Sequence, residues 1–175
     1  MAIDESRTFK PINIVVLTVS DTRGPDEDSS GDILAERIQT AGHRLAARAI
    51  ERDDADAIVR RLNTWIDDRA IDAVVSTGGT GLTGRDVTPE ALGRIEGKPI
   101  EGFGELFRWL SYRTIGTSTV QSRACAIVAR GTYIFALPGS NGAVKDGWDG
   151  ILAEQLDSRN RPCNFVELMP RLRET

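Results

Sequence analysis

Continuous apolar runs alternate along this chain with stretches whose apolar residues recur every three or four positions. The first run, Ile12-Asn13-Ile14-Val15-Val16-Leu17-Thr18-Val19, is apolar at nearly every position. Such a run suits a strand covered on both faces, the usual state in a parallel sheet. Residues 45–50 and 71–76 give two further strands. Residues 124–129 and 132–137 give another pair, separated only by Arg130-Gly131. That link is too short for a crossover, so these two strands should run antiparallel.

The amphipathic stretches lie between the runs. Ile33, Leu34, Ile38 and Ala41 share one helical stripe, which Gly42 stops. Ile58, Leu62, Trp65 and Ile66 form a second stripe, with Asp53 or Asp54 as its N-cap. Phe103, Leu106, Phe107 and Leu110 form a third, and Val144, Trp148, Ile151, Leu152 and Leu156 a fourth. Ser29 to Asp32 resembles a capping box with Asp replacing Glu. Thr88 is the expected N-cap of a short helix, with Pro89 at its first position, ending before Gly97-Lys98-Pro99. Residues 23–31, rich in Gly, Pro, Asp and Ser, read as a mobile loop.

This order predicts an α/β protein with three layers, α/β/α, whose mostly parallel sheet carries one antiparallel hairpin strand. A single domain should span residues 1–175, with a core over about 10–157 and a tail, 158–175, too poor in apolar residues to add a core layer.

Composition narrows the function. With 40% hydrophobic residues the chain can bury one substantial core, and a formal charge of -4 argues against a polynucleotide partner. No apolar run approaches membrane-spanning length, and Met1 to Lys10 lacks the apolar centre of a signal peptide. Cys125 and Cys163 stand far apart with no CxxC, so Cys125 reads as a buried free thiol and the expected setting is cytoplasmic. The lone histidine, His43, follows Gly42 at a helix end and reads as structural.

Three polar loops follow strand carboxyl ends: Ser20-Asp21, Thr77 to Asp86, and Pro138-Gly139-Ser140-Asn141. In an open α/β sheet such ends share one edge and form the ligand crevice. The middle loop, Thr77-Gly78-Gly79-Thr80-Gly81, lets backbone N–H groups converge on an oxyanion without a Cβ in the way. Gly79 to Gly84 fits the dinucleotide string GxGxxG, but the helix begins too late, near Thr88. Gly79 to Asp86 spaces like a P-loop, but Arg85 replaces its lysine and Asp86 its metal-binding hydroxyl.

Four motifs in one order carry a family resemblance. They are Thr77-Gly78-Gly79-Thr80-Gly81, Asp86-Val87-Thr88-Pro89-Glu90, Gly102-Phe103-Gly104-Glu105 and Leu137-Pro138-Gly139-Ser140. Over roughly residues 10–167 the chain resembles the molybdopterin-binding family of molybdenum cofactor biosynthesis. The segment from Leu110 to Ala124 and the tail Arg161-Pro162-Cys163-Asn164-Phe165 are closer to its MoaB branch than to its MogA branch.

The resemblance implies a pocket for molybdopterin, a pterin with a dithiolene and a terminal phosphate. It also implies adenylylation of that phosphate by ATP with Mg²⁺; the alternative is a catalytically silent binding or scaffold protein of the same pathway. Asp86 matches the family's essential aspartate, and the second falls at Asp53, where Ile50-Glu51-Arg52-Asp53-Asp54 leaves the choice with Asp54 open. Both are the implied catalytic and magnesium-binding groups. Ser20, Asp21, Thr77, Gly78, Gly79, Thr80, Gly81, Thr88, Pro138, Gly139 and Ser140 would hold ligand or phosphate, and Glu105 would orient the pterin ring. Ser122 and Arg123 would meet phosphate or a subunit interface. The family implies a homotrimer or homohexamer, with Trp109 and Tyr112 in its interface, and other cofactor-biosynthesis enzymes as partners.

Overall fold

The computed structural model describes residues 3–174; Met1, Ala2 and Thr175, at the ends of the expected domain, lie outside the described residues. Six strands form one sheet in the order β2-β1-β3-β6-β5-β4. They are β1 (Asn13–Val19), β2 (Arg44–Glu51), β3 (Ala73–Thr77), β4 (Lys98–Pro99), β5 (Cys125–Ala129) and β6 (Thr132–Leu137). β2, β1, β3 and β6 are mutually parallel, and β5 is antiparallel to β6. Arg130 and Gly131 join that hairpin with φ of 48° and 93°, the left-handed pair that a tight two-residue turn requires.

The apolar runs are two-faced, as parallel strands should be. Ile14, Val16, Val75 and Phe135 join one core cluster, while Val15, Leu17, Val74 and Ile134 join the other. On the first face lie α1 (Ser29–Thr40), α4 (Glu101–Ile115) and α5 (Asn141–Gly147), which continues through a π-helical turn, Trp148–Leu152, into α6 (Ala153–Gln155). On the second lie α2 (Ala55–Asp67), burying Ile58, Leu62, Trp65 and Ile66, and α3 (Thr88–Gly93). No helix among the described residues is long and apolar enough to cross a membrane.

Several sequence expectations change. Lys98-Pro99 is not only a helix stop but a two-residue strand at the sheet edge, antiparallel to β5. Leu106 is 40% exposed, so the buried stripe of α4 is Phe103, Phe107 and Ser111. The tail does reach the core: in α7 (Phe165–Leu168), Val166 is buried, and the Phe165 ring lies 4.8 Å from Tyr133 and 5.5 Å from Phe135. The Tyr133 hydroxyl donates to the Phe165 carbonyl at 3.1 Å, and burial pushes its pKa up to about 12. His43 is structural as expected, buried against Phe9 with Nδ1 accepting from the Ile12 N–H at 3.4 Å.

Residues 23–31 hold a 3₁₀ turn, Pro25–Glu27, and the start of α1, rather than open loop. The cap is Asp28, not the Ser29–Asp32 box. Its buried carboxylate accepts from the Gly31 N–H at 3.0 Å, the Thr18 hydroxyl at 2.8 Å and Arg48 Nη2 at 3.0 Å. One side chain therefore fixes the start of α1, the end of β1 and the edge strand β2. Asp28→Ala should lower stability by about 2 kcal/mol, the loss of a cap plus a charge-assisted bond, read as a lower urea midpoint at unchanged slope. An unchanged midpoint would remove Asp28 from this role.

Candidate functional site

The crossover through α1 carries the chain to one side of β1 and that through α2 to the other, so the sheet order reverses between β1 and β3. At their carboxyl ends lies a cleft of about 750 Å³. A reversal of this kind is where open α/β sheets bind ligands.

Its floor is the glycine turn after β3. Gly78 and Gly79 have φ of 103° and 65°. A Cβ on Gly78 would sit 2.1 Å from the Val19 carbonyl oxygen, and one on Gly79 2.4 Å from Thr88 Oγ1 and 3.0 Å from Asp53 Oδ1. Sterics and dihedrals both demand glycine here. The turn is tied to its neighbours: Gly78 N–H donates to the Leu137 carbonyl at 3.0 Å, and Thr88 N–H to the Gly79 carbonyl at 2.9 Å.

Of the residues singled out by sequence, Ser20, Asp21, Asp53, Gly78, Gly79, Thr80, Gly81, Asp86, Pro138, Gly139 and Ser140 all line the cleft. Thr77 and Thr88 do not. Both are buried behind its wall, Thr77 donating to the Pro138 carbonyl at 3.2 Å and Thr88 to the Gly78 carbonyl at 2.9 Å. Thr88 is thus the first residue of α3 rather than its cap, and its hydroxyl holds the glycine turn instead of the helix end. Glu105 stands exposed on α4, away from the cleft.

The carboxylate pair separates by capping. Asp54 accepts from the Ala57 N–H at 2.7 Å and caps α2, which leaves Asp53 facing the cleft. Burial pushes the Asp53 carboxyl above its ordinary value, and the negative Asp86 adds to the rise. Asp86 is held the opposite way. Its Oδ2 accepts from the Thr83 hydroxyl at 2.6 Å and the Thr83 N–H at 2.9 Å, and these bonds lower its pKa. Asp21 accepts from the Asp53 N–H at 3.2 Å and pairs with Arg85.

Arg123 spends its guanidinium on the loop. Nε donates to the Gly81 carbonyl and Nη2 to the Asp86 carbonyl, each at 2.7 Å, and Nη1 pairs with Glu90. Its own N–H donates to the Thr80 carbonyl at 3.1 Å. It braces the loop, while neighbouring Ser122 lines the cleft.

Thr80, 2% exposed, lines the cleft, and its Oγ1 is buried with no hydrogen-bond partner, an unmet polar atom at the site. Ser140 caps α5 by accepting from the Ala143 N–H at 3.2 Å, and its hydroxyl proton remains available. Sequence reasoning missed Arg23, whose Nη1 donates to Ser30 at 2.9 Å and Nη2 to the Gly139 carbonyl at 3.1 Å, joining the first and third loops. It also missed Arg85 and Asp146, which line the cleft.

Among the described residues no group of three or more His, Cys, Asp or Glu is placed to hold a metal. Two carboxylates on one cleft still fit Mg²⁺, which keeps waters and takes its other ligands from phosphate oxygens.

A carboxyl whose pKa is raised by folding costs stability when ionised, and the cost vanishes once pH falls below its unfolded value. Asp53→Asn should therefore raise the Tm of the ligand-free protein at pH 7. The gain should shrink as pH falls through the folded value and be gone well below 3.8, the ordinary aspartate value. A Tm difference that is constant with pH would contradict the repulsion described.

Known proteins share both this sequence and this shape. The family described as "Probable molybdopterin binding domain" matches residues 15–158. Molybdenum cofactor biosynthesis protein B of Escherichia coli (strain K12) is 49% identical over 160 residues, covering 91% of this chain and 94% of that protein. The crystal structure of a molybdenum cofactor biosynthesis protein B superposes with a TM-score of 0.86 at 34% identity, covering 97% of this chain and all of that one. The tungsten cofactor synthesizing protein MoaB from Pyrococcus furiosus gives 0.79 at 34% identity, covering 94% and 99% of the respective chains. The chain belongs to the molybdopterin-binding family of molybdenum cofactor biosynthesis, in its MoaB branch.

Proposed function

We propose that the protein binds molybdopterin in this cleft and transfers AMP from ATP to its terminal phosphate. The observation that carries the reading is the meeting of unlike groups at one point. Gly78 and Gly79 with their left-handed backbone, Thr80 with its unpartnered hydroxyl, and two carboxylates that form no ion pair among the described residues all line the same cleft. Peptide N–H groups and hydroxyls suit phosphate. Two carboxylates that repel each other suit a divalent cation.

In this reading an oxygen of the molybdopterin phosphate attacks the α-phosphorus of ATP. The bond to the β-phosphate bridge breaks, pyrophosphate leaves, and a phosphoanhydride joins molybdopterin to AMP. Asp53 and Asp86 would hold Mg²⁺, which when bound offsets charge on the phosphate oxygens. The chain's own part is positional. The glycine turn and Thr80 seat the phosphate, Arg123 keeps the loop rigid, and the Thr83 contacts fix Asp86 in its ionised form. Such alignment of two anions supplies most of the acceleration in phosphoryl chemistry.

Self-association belongs to the same proposal. On α4, Trp109 and Tyr112 are 56% and 57% exposed, beside exposed Leu106 and Ile115, and the Arg113 guanidinium stacks 3.8 Å over the Trp109 ring. An apolar face of this kind supports the homotrimer or homohexamer that the family resemblance implies.

Two measurements test these statements. Incubation with molybdopterin, ATP and Mg²⁺ should release pyrophosphate with the adenylylated product, and Asp86→Asn should cut the rate at least about a hundred-fold while molybdopterin still binds. Bound molybdopterin without pyrophosphate would reduce the protein to the binding or scaffold role. Light scattering should give three or six times the 19.1 kDa chain mass, and a 19.1 kDa species would contradict self-association.

A further inference from the structure

The cleft extends past the glycine turn into a slot between α4 and α5. On the α4 side Phe107, Ser111, Thr114 and Ile115 follow at intervals that keep them on one helical face. The opposite wall is Gly142 and Ala143, small enough to leave the slot open, followed one turn on by Asp146. A Cβ built on Gly142 meets nothing within 4 Å. The slot is therefore lined by Phe107, Ile115 and small residues together with two hydroxyls, and carries one charged group.

That charge has no protein cation to answer it. No Lys or Arg pairs with Asp146 among the described residues, whereas Asp21 has Arg85 and Glu90 has Arg123. The Thr114 hydroxyl donates its proton to the Ser111 carbonyl at 3.0 Å and lies 3.5 Å from Asp146, so the carboxylate keeps its lone pairs for another donor.

We propose that this slot receives the pterin ring of molybdopterin, with Asp146 accepting from the N3–H and 2-amino groups along its pyrimidinone edge. The inference rests on molybdopterin binding as proposed above and moves the ring-recognition role from Glu105, which stands outside the cleft, to Asp146. A pterin offers two adjacent donors on that edge, which a carboxylate accepts as a bidentate pair. An adenine offers one donor next to the acceptor N1, which would face a carboxylate oxygen with like polarity. The chemistry thus assigns the slot to the pterin rather than to the adenine of ATP.

The test uses the full chain and compares binding of molybdopterin to wild type, Asp146→Asn and Gly142→Leu by fluorescence titration. Gly142→Leu fills the slot, and its open surroundings and higher helix propensity keep the variant folded; melting curves confirm this. Both variants should weaken molybdopterin by about ten-fold or more, the usual worth of a hydrogen bond to a charged group. Free pterin and its 2-oxo analogue lumazine give the second readout. Wild type should prefer pterin, and Asp146→Asn should lose that preference.

Unchanged affinity in both variants, or a pterin preference that survives Asp146→Asn, would overturn the slot assignment while leaving molybdopterin binding intact. A wild-type protein that binds no molybdopterin would instead overturn the reading beneath it. Loss of ATP affinity in Asp146→Asn with molybdopterin affinity unaltered would give the slot to the nucleotide and contradict the proposal.

Discussion

No side chain fits at Gly78 or Gly79, and the site is a consequence of that. β1 ends against the turn so closely that a Cβ at Gly78 would collide with the Val19 carbonyl, and one at Gly79 with Thr88 and Asp53. Two things follow from the same contact. The ends of β1 and β3 and the starts of α2 and α3 are drawn within reach of one another. The backbone that joins them lines the cleft from Gly78 to Gly81. Thr88 gives up a capping role to donate to Gly78, so the start of α3 is spent on holding the turn.

Electrostatics at the cleft are divided rather than uniform. A chain of net charge -4 has no basic field with which to attract an anion. Its arginines near the cleft are occupied with protein acceptors: Arg123 with two carbonyls and Glu90, Arg23 with Ser30 and Gly139, Arg85 with Asp21. They tie loops together. What remains is the unpartnered Thr80 hydroxyl and, with no ion pair among the described residues, the Asp53 and Asp86 carboxylates, of which Asp53 is held above its ordinary pKa by burial and by Asp86. Carboxylates and phosphate repel one another unless a cation stands between them, which is the physical ground for the magnesium in the proposed reading.

Much of the fold was legible because burial on both faces leaves a plain mark. β1, β3, β5 and β6 stood out as continuous apolar runs, and the stripe of α2 was complete in its spacing. What sequence missed depends on contacts between distant residues. Asp28 caps α1 but is also held by Thr18 and Arg48, a role that its own neighbours in sequence do not reveal. Lys98-Pro99 is a strand only because β5 lies alongside. Phe165 and Val166 join the core because Tyr133 and Phe135 leave an aromatic surface for them. In the site, the loops with unusual backbone were readable as glycine and proline, whereas Arg23 and Asp146 sit in ordinary-looking polar stretches and were not. Glu105 was drawn in by its motif, although α4 turns it to solvent.

The central claim is that the glycine turn, and not a basic side chain, receives the phosphate of the ligand. A crystal structure of the protein with molybdopterin bound tests this most directly. The account predicts the terminal phosphate against the backbone of Gly79, Thr80 and Gly81, within hydrogen-bond distance of Thr80 Oγ1 and on the side of the cleft that holds Asp53 and Asp86. A phosphate seated elsewhere, on exposed arginines with the glycine turn facing only water, would contradict it.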